Sequence, residues 1–559
     1  MRSVIIDAET TKIINECLPT TIWCVACLDV DTKEVHTFRT SLFNNFIKDY
    51  DRIIGHNIVG FDAPVLRKVW GTDLPHEKLL DTLILSQLAY PSREGGHSLG
   101  SWGNRLKFPK GDHTDWSQYS SEMLKYCKRD TELTYKLYVQ LKHECAGFSR
   151  ECVQLEHDVK RITTIQERDG FFLDQLYSMN LVATLDKRLI EIREELQAVF
   201  PPKRIETQLK TKTKVEMQEF NVGSRKQIAE RLQEKGWEPS KTTEKGSIIV
   251  DEAVLNTIDM PEAKLIAEYL MLQKRIAQVN SWLEALDKSS DDRVHGQVLT
   301  LRTITGRMAH ANPNMAQVPA SYSPYGSECR TCWTVPKGRV LVGIDASGIE
   351  LRMLAHYLYV KNPQNISVKA YIEALIKGDI HSVHQKVLQS RYGPQITRDQ
   401  AKTFVYAFLY GAGNRKLGSI VGKGAPTGKE LKERLLYRIP NLGPLHSMIL
   451  YKAGNGYLRG LDKRKLQIRS LHSALNSLLQ SGAAIVMKKA LIIFKGFLTD
   501  DVKIVANVHD EWQVECDEKD GDMVGKLGVT AIMKGGEHFK VRCPLAGEYK
   551  VGTNWSETH

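Results

Sequence analysis

Two aspartates in the second half of the chain follow apolar strand patterns and could bind divalent cations. Asp345 lies near the end of GRVLVGIDA, and Asp510 follows VKIVANVH. Carboxylates at strand ends can converge on one side of a sheet, and Mg²⁺ prefers carboxylate and phosphate oxygens. Two such ions can neutralise the entering and leaving oxygens of a phosphoryl transfer. For either residue alone, a turn former or helix cap is the better explanation.

A helical pattern, TRDQAKTFVYAFLYGAG, carries two cations and two phenols along one stripe. Arg398, Lys402, Tyr406 and Tyr410 follow one another in steps of four residues. Such steps keep side chains on one helix face with a slow drift. Helix-start amides with cations favour a triphosphate, and aromatic rings offer flat surfaces to a base or sugar. A core-facing tyrosine stripe with solvated cations is the alternative, but it does not explain why both types share one stripe.

Composition describes a multidomain globular chain with a basic second part. The 559 residues suggest two to four domains, and 42% hydrophobic with 26% charged residues argues against general disorder. Residues 1–150 hold 19 Lys or Arg and 19 Asp or Glu, so the net charge of +11 resides in the remainder. That asymmetry favours a polyanionic ligand, although a basic charge without functional meaning explains it too.

No targeting or membrane-spanning segment is expected. The N-terminus, MRSVIIDAET, becomes acidic early, and no apolar run approaches the ~18 to 20 residues that span a bilayer. We therefore expect no membrane association and a cytoplasmic location.

Strand and helix patterns place the candidate residues in two α/β units. SVIIDAE, TIWCVACLDV and RIIGHN read as strands, and helical patterns then dominate to about residue 150. Later, GRVLVGIDASGIELRML predicts a strand, a tight turn and a helix, and VKIVANVHDEWQVEC predicts two strands meeting at a His-Asp turn. Residues between about 350 and 495 are predicted to be helical, as an insertion into the second sheet.

Two segments have apolar residues at alternating steps of four and three, which predicts helices that pair along one seam. They close as a long antiparallel hairpin or, less favourably, form a dimerisation coil. Between them, PPKRIETQLKTKTK is basic and suits either a nucleic-acid backbone or a solvated loop. The seam residues are Leu185, Leu189, Ile192, Leu196 and Val199 in the first helix and Leu265, Tyr269, Leu272, Ile276, Val279, Leu283 and Leu286 in the second.

The cysteine spacing favours structural thiols over a metal site. Cys24 with Cys27 and Cys329 with Cys332 form two CxxC pairs. The pairs of a zinc ribbon are normally ~15 to 20 residues apart, and these are separated by most of the chain. We therefore expect thiols in a reducing compartment.

Three segments, GIDASGIELRMLAH, RDQAKTFVYAFLYGAG and VHDEWQVE, resemble the signature segments of family A DNA polymerases, in particular the replicative enzymes of T-odd, short-tailed bacteriophages. The likeness extends through TGRMAHANPNMAQVP, SPYGSECR, GDIHS and RSLHSALNSLLQSGAAI. It implies a multidomain α/β and α+β fold with a ribonuclease H-like 3′–5′ exonuclease domain followed by a right-hand polymerase domain. The implied divisions are the exonuclease at 1–150, linker and helical thumb at 151–295, first palm part at 296–355, fingers at 356–440 and second palm part at 441–559.

The resemblance also implies roles for residues of the polymerase domain. Asp345, Asp510 and the carbonyl of Ala346 would hold two Mg²⁺, for which Mn²⁺ could substitute. Glu350 and Tyr406 would form a pair that excludes a 2′-hydroxyl, and a tyrosine at that position should admit dideoxynucleotides readily. The implied triphosphate contacts are Arg398, Lys402 (also a proton donor to pyrophosphate) and His381, and the implied DNA contacts are Arg307, His310, Gln317, Tyr410, Asn476, Gln480 and His509.

A second set of acids lies in the neutral first part of the chain. Asp7 and Glu9 alternate on one strand, and Tyr126 and Asp130 are four residues apart on a helix, so each pair shares a face. With Asp62 they suit two-metal phosphodiester hydrolysis, the phenol orienting the attacking water. They resemble an active proofreading 3′–5′ exonuclease with two further Mg²⁺, whereas scattered surface acids are the alternative.

The resemblance has limits that bear on partners. Primer–template DNA and deoxynucleoside triphosphates are the implied ligands, and a phage helicase–primase is an expected partner. From the resemblance we expect no 5′-nuclease domain ahead of residue 1. Only about 20 residues follow Phe200 before NVGSRKQIAERLQEKGW, which leaves little room for the thumb insertion of relatives that recruit thioredoxin. Two other functions stay open for testing, a single-subunit RNA polymerase and a DNA-binding factor with an inactive site.

Overall fold

The N-terminal part of the computed structural model is a mixed five-stranded sheet. The structure describes residues 2–11, 19–208, 213–239, 241–243, 246–389 and 395–559. Strand order is β3-β2-β1-β4-β5, with β1 antiparallel to β2 and parallel to β4. The three predicted strands are confirmed, and the two that the sequence did not indicate are only four and three residues long. The strands are β1 Ser3–Thr10, β2 Ile22–Asp29, β3 Val35–Phe38, β4 Arg52–Gly55 and β5 Leu79–Asp81.

Among the described residues up to Glu144, five helices accompany this sheet, and the longest carries functional candidates. That helix packs on β1 and β2 through buried Met123 and Cys127, because apolar residues recur along one of its faces. Ser120 caps its start by accepting from the amide of Met123 at 3.0 Å. The helices are α1 Phe43–Ile47, α2 Asp62–Trp70, α3 Thr82–Ala89, α4 Leu99–Arg105 and α5 Ser121–Glu144.

The predicted helical hairpin is present, with one error. The start of its first helix and the end of its second both lie against Cys332 and Trp333, so the helices are antiparallel. The error is Val199, which is exposed because it ends the first helix beyond the seam. A strand pair follows the first helix, and the basic tip at 209–212 lies outside the described residues. The elements are α6 Arg150–Asp169, β6 Phe171–Phe172, α7 Gln175–Val199, β7 Lys203–Gln208, β8 Thr213–Gln218, α8 Arg225–Glu234, α9 Glu252–Leu255 and α10 Pro261–Asp287.

A second sheet has four antiparallel strands and includes the predicted strand of Asp345. The predicted turn and helix follow that strand. The strands of this sheet lie in the order β15 (Lys503–Val508), β16 (Glu511–Asp517), β12 (Arg339–Ala346) and β17 (Gly547–Gly552), so the strand of Asp345 lies between two neighbours. Three short strands that belong to two-stranded pairs precede β12 in the chain. The elements of this part are β9 Arg293–Val294, β10 Gln297–Leu299, β11 Ala309–Ala311, α11 Gly326–Thr331, β12 Arg339–Ala346 and α12 Ile349–Lys361.

The predicted helical insertion interrupts this sheet, although a short strand pair, β13 with β14, also lies within it. The remaining elements are α13 Ile366–Ile376, α14 Ile380–Leu388, α15 Arg398–Leu409, α16 Asn414–Ile420, α17 Ala425–Arg438, α18 Leu442–Ala453, β13 Tyr457–Arg459, β14 Lys465–Gln467, α19 Ala474–Lys495, β15 Lys503–Val508, β16 Glu511–Asp517, α20 Gly521–His538 and β17 Gly547–Gly552.

The apolar helix α19 departs from the expectation that no apolar run is long enough to span a bilayer. The segment Leu471–Lys495 is long and apolar enough to cross a membrane by length and composition. However, 78% of its most apolar window is buried inside the protein, as expected of a core helix. It packs against α20, α12 and α6.

Four buried charges join α6 to α19 and to the turn between β13 and β14. Lys488 Nζ lies 2.7 Å from Glu156 Oε2 and donates to the Thr300 carbonyl at 2.8 Å. Arg464 Nη2 lies 2.7 Å from Glu156 Oε1 and 2.6 Å from Asp462 Oδ2. All four side chains are almost fully buried, so each charge depends on its partners for solvation.

Replacing Lys488 with methionine is expected to lower the free energy of unfolding by about 3–5 kcal/mol, because Glu156 would lose its second cation while staying buried. Urea denaturation followed by circular dichroism measures the loss. Lys489→Met, at the partly exposed next position, is the matched control. Equal stabilities of the two variants would contradict the expectation.

Candidate functional site

The structure brings Asp345 and Asp510 together at one edge of the second sheet. Asp345 is the penultimate residue of β12, and Asp510 lies in the turn between β15 and β16. In the antiparallel register Asp345 pairs with Glu511, and the amide of Ala346 donates to the Asp510 carbonyl at 3.1 Å. The predicted convergence of the two aspartates is therefore confirmed.

Burial and mutual repulsion act on these carboxyls. Burial raises the pKa of Asp345 to about 7, with further contributions from Glu511 and Asp510. Burial also raises the pKa of Asp510 to about 6, where Arg307 opposes the shift and Glu350 adds to it. Such a group of acids is stabilised by nearby positive charge, so its chemistry fits the divalent cations that the sequence predicts.

Glu511 is a buried acid that sequence reasoning missed. Its Oε1 accepts from the Trp555 indole at 2.7 Å, and its Oε2 lies 2.7 Å from His559 Nδ1. Burial alone would raise its pKa, but the interaction with His559 and the hydrogen bonds from Gln513 and Trp555 lower it. Its position in an apolar strand directly after Asp510 was the available signal. Its partners come from the C-terminus, which no local pattern connects to this strand.

Arg307 and Glu350 link the acidic edge to the helical insertion. Arg307 Nη2 lies 2.7 Å from Glu350 Oε1 and 3.6 Å from Asp510 Oδ2. The Tyr410 hydroxyl donates to Glu350 Oε2 at 3.1 Å. The ring of Tyr406, which the resemblance pairs with Glu350 at the sugar, stacks on that of Tyr410, with centroids 6.3 Å apart. Burial, followed by the charge of Glu350, raises the pKa of the Tyr406 phenol. Tyr410 reaches the carboxylate because it caps the C-terminal end of α15.

The cation and phenol stripe forms one face of α15. Thr397 and Gln400 make a capping box at its start, which leaves Arg398 and Lys402 exposed on the first turns. His381 of α14 faces the same region, with its ring centroid 6.1 Å from that of Tyr406. Burial lowers the pKa of His381, and the charges of Lys402 and Arg398 lower it further. Three nitrogen-bearing side chains thus lie together beside an aromatic surface.

Of the predicted DNA contacts, His310 and His509 lie near Arg307. His310 is buried on β11, and burial, followed by the charge of His509, lowers its pKa to about 4. His509 has a left-handed backbone with φ of 57°, which forms the tight turn before Asp510. The other predicted contacts lie on separate elements: Gln317 borders a cavity of about 700 Å³ beside α10, and Asn476 and Gln480 lie one turn apart on α19.

The N-terminal acids also converge. Ligand atoms of Asp7, Glu9 and Cys127 lie within 4.8 Å of one another. Asp62 Oδ1, at the start of α2, accepts from the amide of Ala8 at 3.2 Å. As predicted, Asp7 and Glu9 lie on one face of β1. This face is turned towards α5, the helix that carries Tyr126 and Asp130.

Burial raises the pKa of every predicted acid in this cluster. The pKa of Asp7 is raised by burial and then by Glu9, Asp130 and Asp62. The pKa of Asp62 is raised to about 7 and that of Asp130 to about 6, in both cases mainly by burial. Asp130 Oδ1 is buried and has no hydrogen-bond partner among the described residues. An acidic set with such a free buried oxygen fits divalent cations.

Three residues of this cluster were not predicted. Lys110 Nζ lies 2.7 Å from Asp130 Oδ2, and the Trp116 indole donates to Glu9 Oε2 at 3.0 Å. Cys127 donates to the Asp7 carbonyl at 3.3 Å. Lys110 and Trp116 belong to an irregular loop without a periodic pattern, so only tertiary structure could reveal them.

A comparison with protein families matches the description DNA polymerase family A over residues 189–557. The match includes both aspartates of the second sheet and the whole of α15. The chain belongs to DNA polymerase family A. The N-terminal sheet and its acids lie before the matched residues of this family A chain.

Two curated relatives span the full family A chain. The DNA-directed DNA polymerase of Enterobacteria phage T3 is 31% identical over 715 aligned positions, covering 99% of each chain. That of Escherichia phage T7 is 31% identical over 718 positions, covering 100% of each chain. Because both alignments are longer than 559 positions, these relatives contain segments without a counterpart here.

A solved structure supports the fold. The POL domain of Pol1 from M. smegmatis, in complex with a DNA primer-template and dNTP, superimposes with a TM-score of 0.80. The match covers 100% of this chain and 96% of the other at 18% identity. It shows that the family A chain has the fold of that polymerase.

Proposed function

We propose that the protein is a template-directed DNA polymerase that extends a primer with deoxynucleoside triphosphates. The convergence of Asp345 and Asp510 beside the cationic face of α15 carries this proposal. Family membership and the names of the phage relatives support it. Primer extension with deoxynucleotides tests it, and extension with ribonucleotides alone would favour an RNA polymerase.

The residues divide the work of phosphoryl transfer among them. When bound, two Mg²⁺ would lower the pKa of the primer 3′-hydroxyl and neutralise charge on the reacting phosphate. Asp345, Asp510 and the Ala346 carbonyl are the groups that would hold them. Arg398, Lys402 and His381 would bind the triphosphate, and Lys402 would give a proton to the departing pyrophosphate. Catalysis then comes mainly from positioning and charge neutralisation.

Glu350 is the residue that we assign to selection against ribonucleotides. Arg307 and Tyr410 both donate hydrogen bonds to its carboxylate, which restrains the side chain. In this position Glu350 would sterically block a 2′-hydroxyl on the sugar. Steric exclusion depends on volume more than on charge.

Glu350→Ala is expected to weaken discrimination between dATP and ATP by roughly tenfold or more, because the side chain that excludes the 2′-hydroxyl would be removed. Glu350→Gln, which keeps the volume, should retain most of the discrimination. Single-nucleotide incorporation gives kcat/KM for each substrate. Equal discrimination by the wild type and the alanine variant would show that Glu350 does not face the sugar.

We further propose that the N-terminal acids form a 3′–5′ exonuclease that proofreads the primer. Asp7, Glu9, Asp62 and Asp130 would hold two Mg²⁺, and Tyr126 would orient the attacking water. The support is that Asp7 and Glu9 lie close together, that Asp130 and Asp62 act on Asp7, and that Asp130 Oδ1 is buried without a hydrogen-bond partner among the described residues. Two activities on one chain would let a mispaired end be removed before extension resumes.

We place this reaction in replication of a phage-type genome in the host cytoplasm, with a helicase–primase as a partner. A thioredoxin clamp is not part of the proposal, because β7 and β8 directly follow α7 where a clamp-binding insertion would lie. Added thioredoxin should leave the number of nucleotides incorporated per encounter unchanged. Extension of a long template under a DNA trap measures this number, and a several-fold increase would contradict the expectation.

A further inference from the structure

One cation is embedded in the proposed exonuclease site. The Nζ of Lys110 lies 2.7 Å from Asp130 Oδ2 and 4.7 Å from the centroid of the Tyr126 ring. The ammonium therefore contacts two residues to which the proposed function gives different tasks. Its side chain is about one-third exposed, whereas that of Asp130 is almost fully buried.

The loop that carries Lys110 is held against α5. A Cβ added to Gly111 would lie 3.2 Å from the Tyr126 ring, so the backbone passes closely over that ring. The Arg129 side chain of α5 donates to the Pro109 carbonyl at 3.1 Å, on the other side of Lys110. The backbone on both sides of Lys110 is therefore held against α5, which places the lysine beside Asp130.

The charges around Lys110 explain why a cation is needed. The charge of Lys110 acts on Asp7, Glu9 and Asp130 and lowers the pKa of each. These three acids lie close together, and burial raises their pKa values. Among the described residues, His113 and Arg129 are further basic groups that act on Glu9 and Asp130, respectively. Without a cation at Asp130, repulsion would push α5 away from β1.

Lys110 uses only one oxygen of Asp130. The second oxygen, Oδ1, stays buried and without a hydrogen-bond partner among the described residues. One carboxylate thus offers a site to a divalent cation while it is paired with an ammonium. Two cations on one carboxylate repel, so their binding should be negatively coupled.

We propose that Lys110 is the resident counter-cation of the exonuclease site: it holds Tyr126 and Asp130 in place before divalent ions bind, and it competes with those ions for Asp130. This inference rests on the proposed exonuclease function. It makes Lys110 a positioning residue whose removal changes metal affinity, and not only activity.

The test is Mn²⁺ binding to the full-length chain, measured by electron paramagnetic resonance of free Mn²⁺. All variants carry Asp345→Asn and Asp510→Asn, which remove the other acidic site. Lys110→Met should bind Mn²⁺ about tenfold more tightly, because a coupling of about 1–3 kcal/mol corresponds to 5- to 150-fold. Lys110→Arg, which keeps the charge, should behave like the parent. Lys125→Met, at an exposed position of α5, is the matched control.

Hydrogen exchange provides a second readout. In chelator, the amides of residues 121–131 should exchange faster in Lys110→Met than in the parent, and Mn²⁺ should restore their protection. Unchanged or weaker Mn²⁺ affinity of Lys110→Met would overturn the inference, and so would equal exchange in chelator. If the parent binds Mn²⁺ but does not degrade primers, the exonuclease function is refuted. The proposal for Lys110 is then still tested, because the Mn²⁺ affinities of the parent and Lys110→Met can be compared without exonuclease activity.

Discussion

Asp345→Asn is expected to reduce primer extension by at least about 1,000-fold. Loss of a charged metal ligand removes several kcal/mol of transition-state stabilisation, and three powers of ten correspond to about 4 kcal/mol. The substitution keeps the size of the side chain and its place in β12, so the sheet should persist. Single-turnover extension of a labelled primer at saturating deoxynucleotide measures the chemical step.

The matched control for this result is Asp517→Asn. Asp517 lies at the far end of β16, where it pairs with Arg339 at 2.7 Å on the surface. This variant should extend primers at close to the wild-type rate. Extension by Asp345→Asn within tenfold of the wild type would mean that Asp345 does not hold a catalytic ion.

Asp7→Ala is expected to reduce degradation of a single-stranded primer by about 1,000-fold and to leave extension unchanged. Asp7 is a partly buried member of the N-terminal cluster, where Glu9, Asp130 and Asp62 act on it. Removing a central ligand should abolish the binding of catalytic ions. Release of labelled mononucleotide in the absence of added nucleotides measures the loss.

Glu122→Gln provides the control for this second substitution. Glu122 is an exposed acid on the first turn of α5, two helical turns before Asp130. Its removal should not affect degradation. Continued degradation by Asp7→Ala would refute the exonuclease assignment, and a parallel loss of extension would show that the two sites are not separate.

Residues that share a regular element were the ones that the sequence could place. Asp7 and Glu9 follow the two-residue period of a strand, and Tyr126 and Asp130 follow the helical repeat. These patterns are local, so side chains on one face can be recognised without knowing the fold. The same logic identified the antiparallel hairpin and the stripe on α15.

Residues whose positions depend on distant segments could not be predicted in this way. Glu511 is satisfied by Trp555 and His559, which reach it only when the C-terminus folds back on β16. Lys110 lies in a loop with no repeat, and its role depends on the approach of α5. The hydrogen bond from Tyr410 to Glu350 was not predicted either, because Tyr406 and Tyr410 share one stripe and only their heights along α15 decide which hydroxyl reaches the carboxylate.

The most direct test of two separate acidic sites follows both reactions of one primer end in a single time course. The wild type, Asp345→Asn, Asp7→Ala and the double variant are each mixed with the same primer–template, with and without deoxynucleotides. We expect Asp345→Asn to shorten primers only, Asp7→Ala to lengthen them only, and the double variant to do neither. A single substitution that stops both reactions, or an active double variant, would contradict the account.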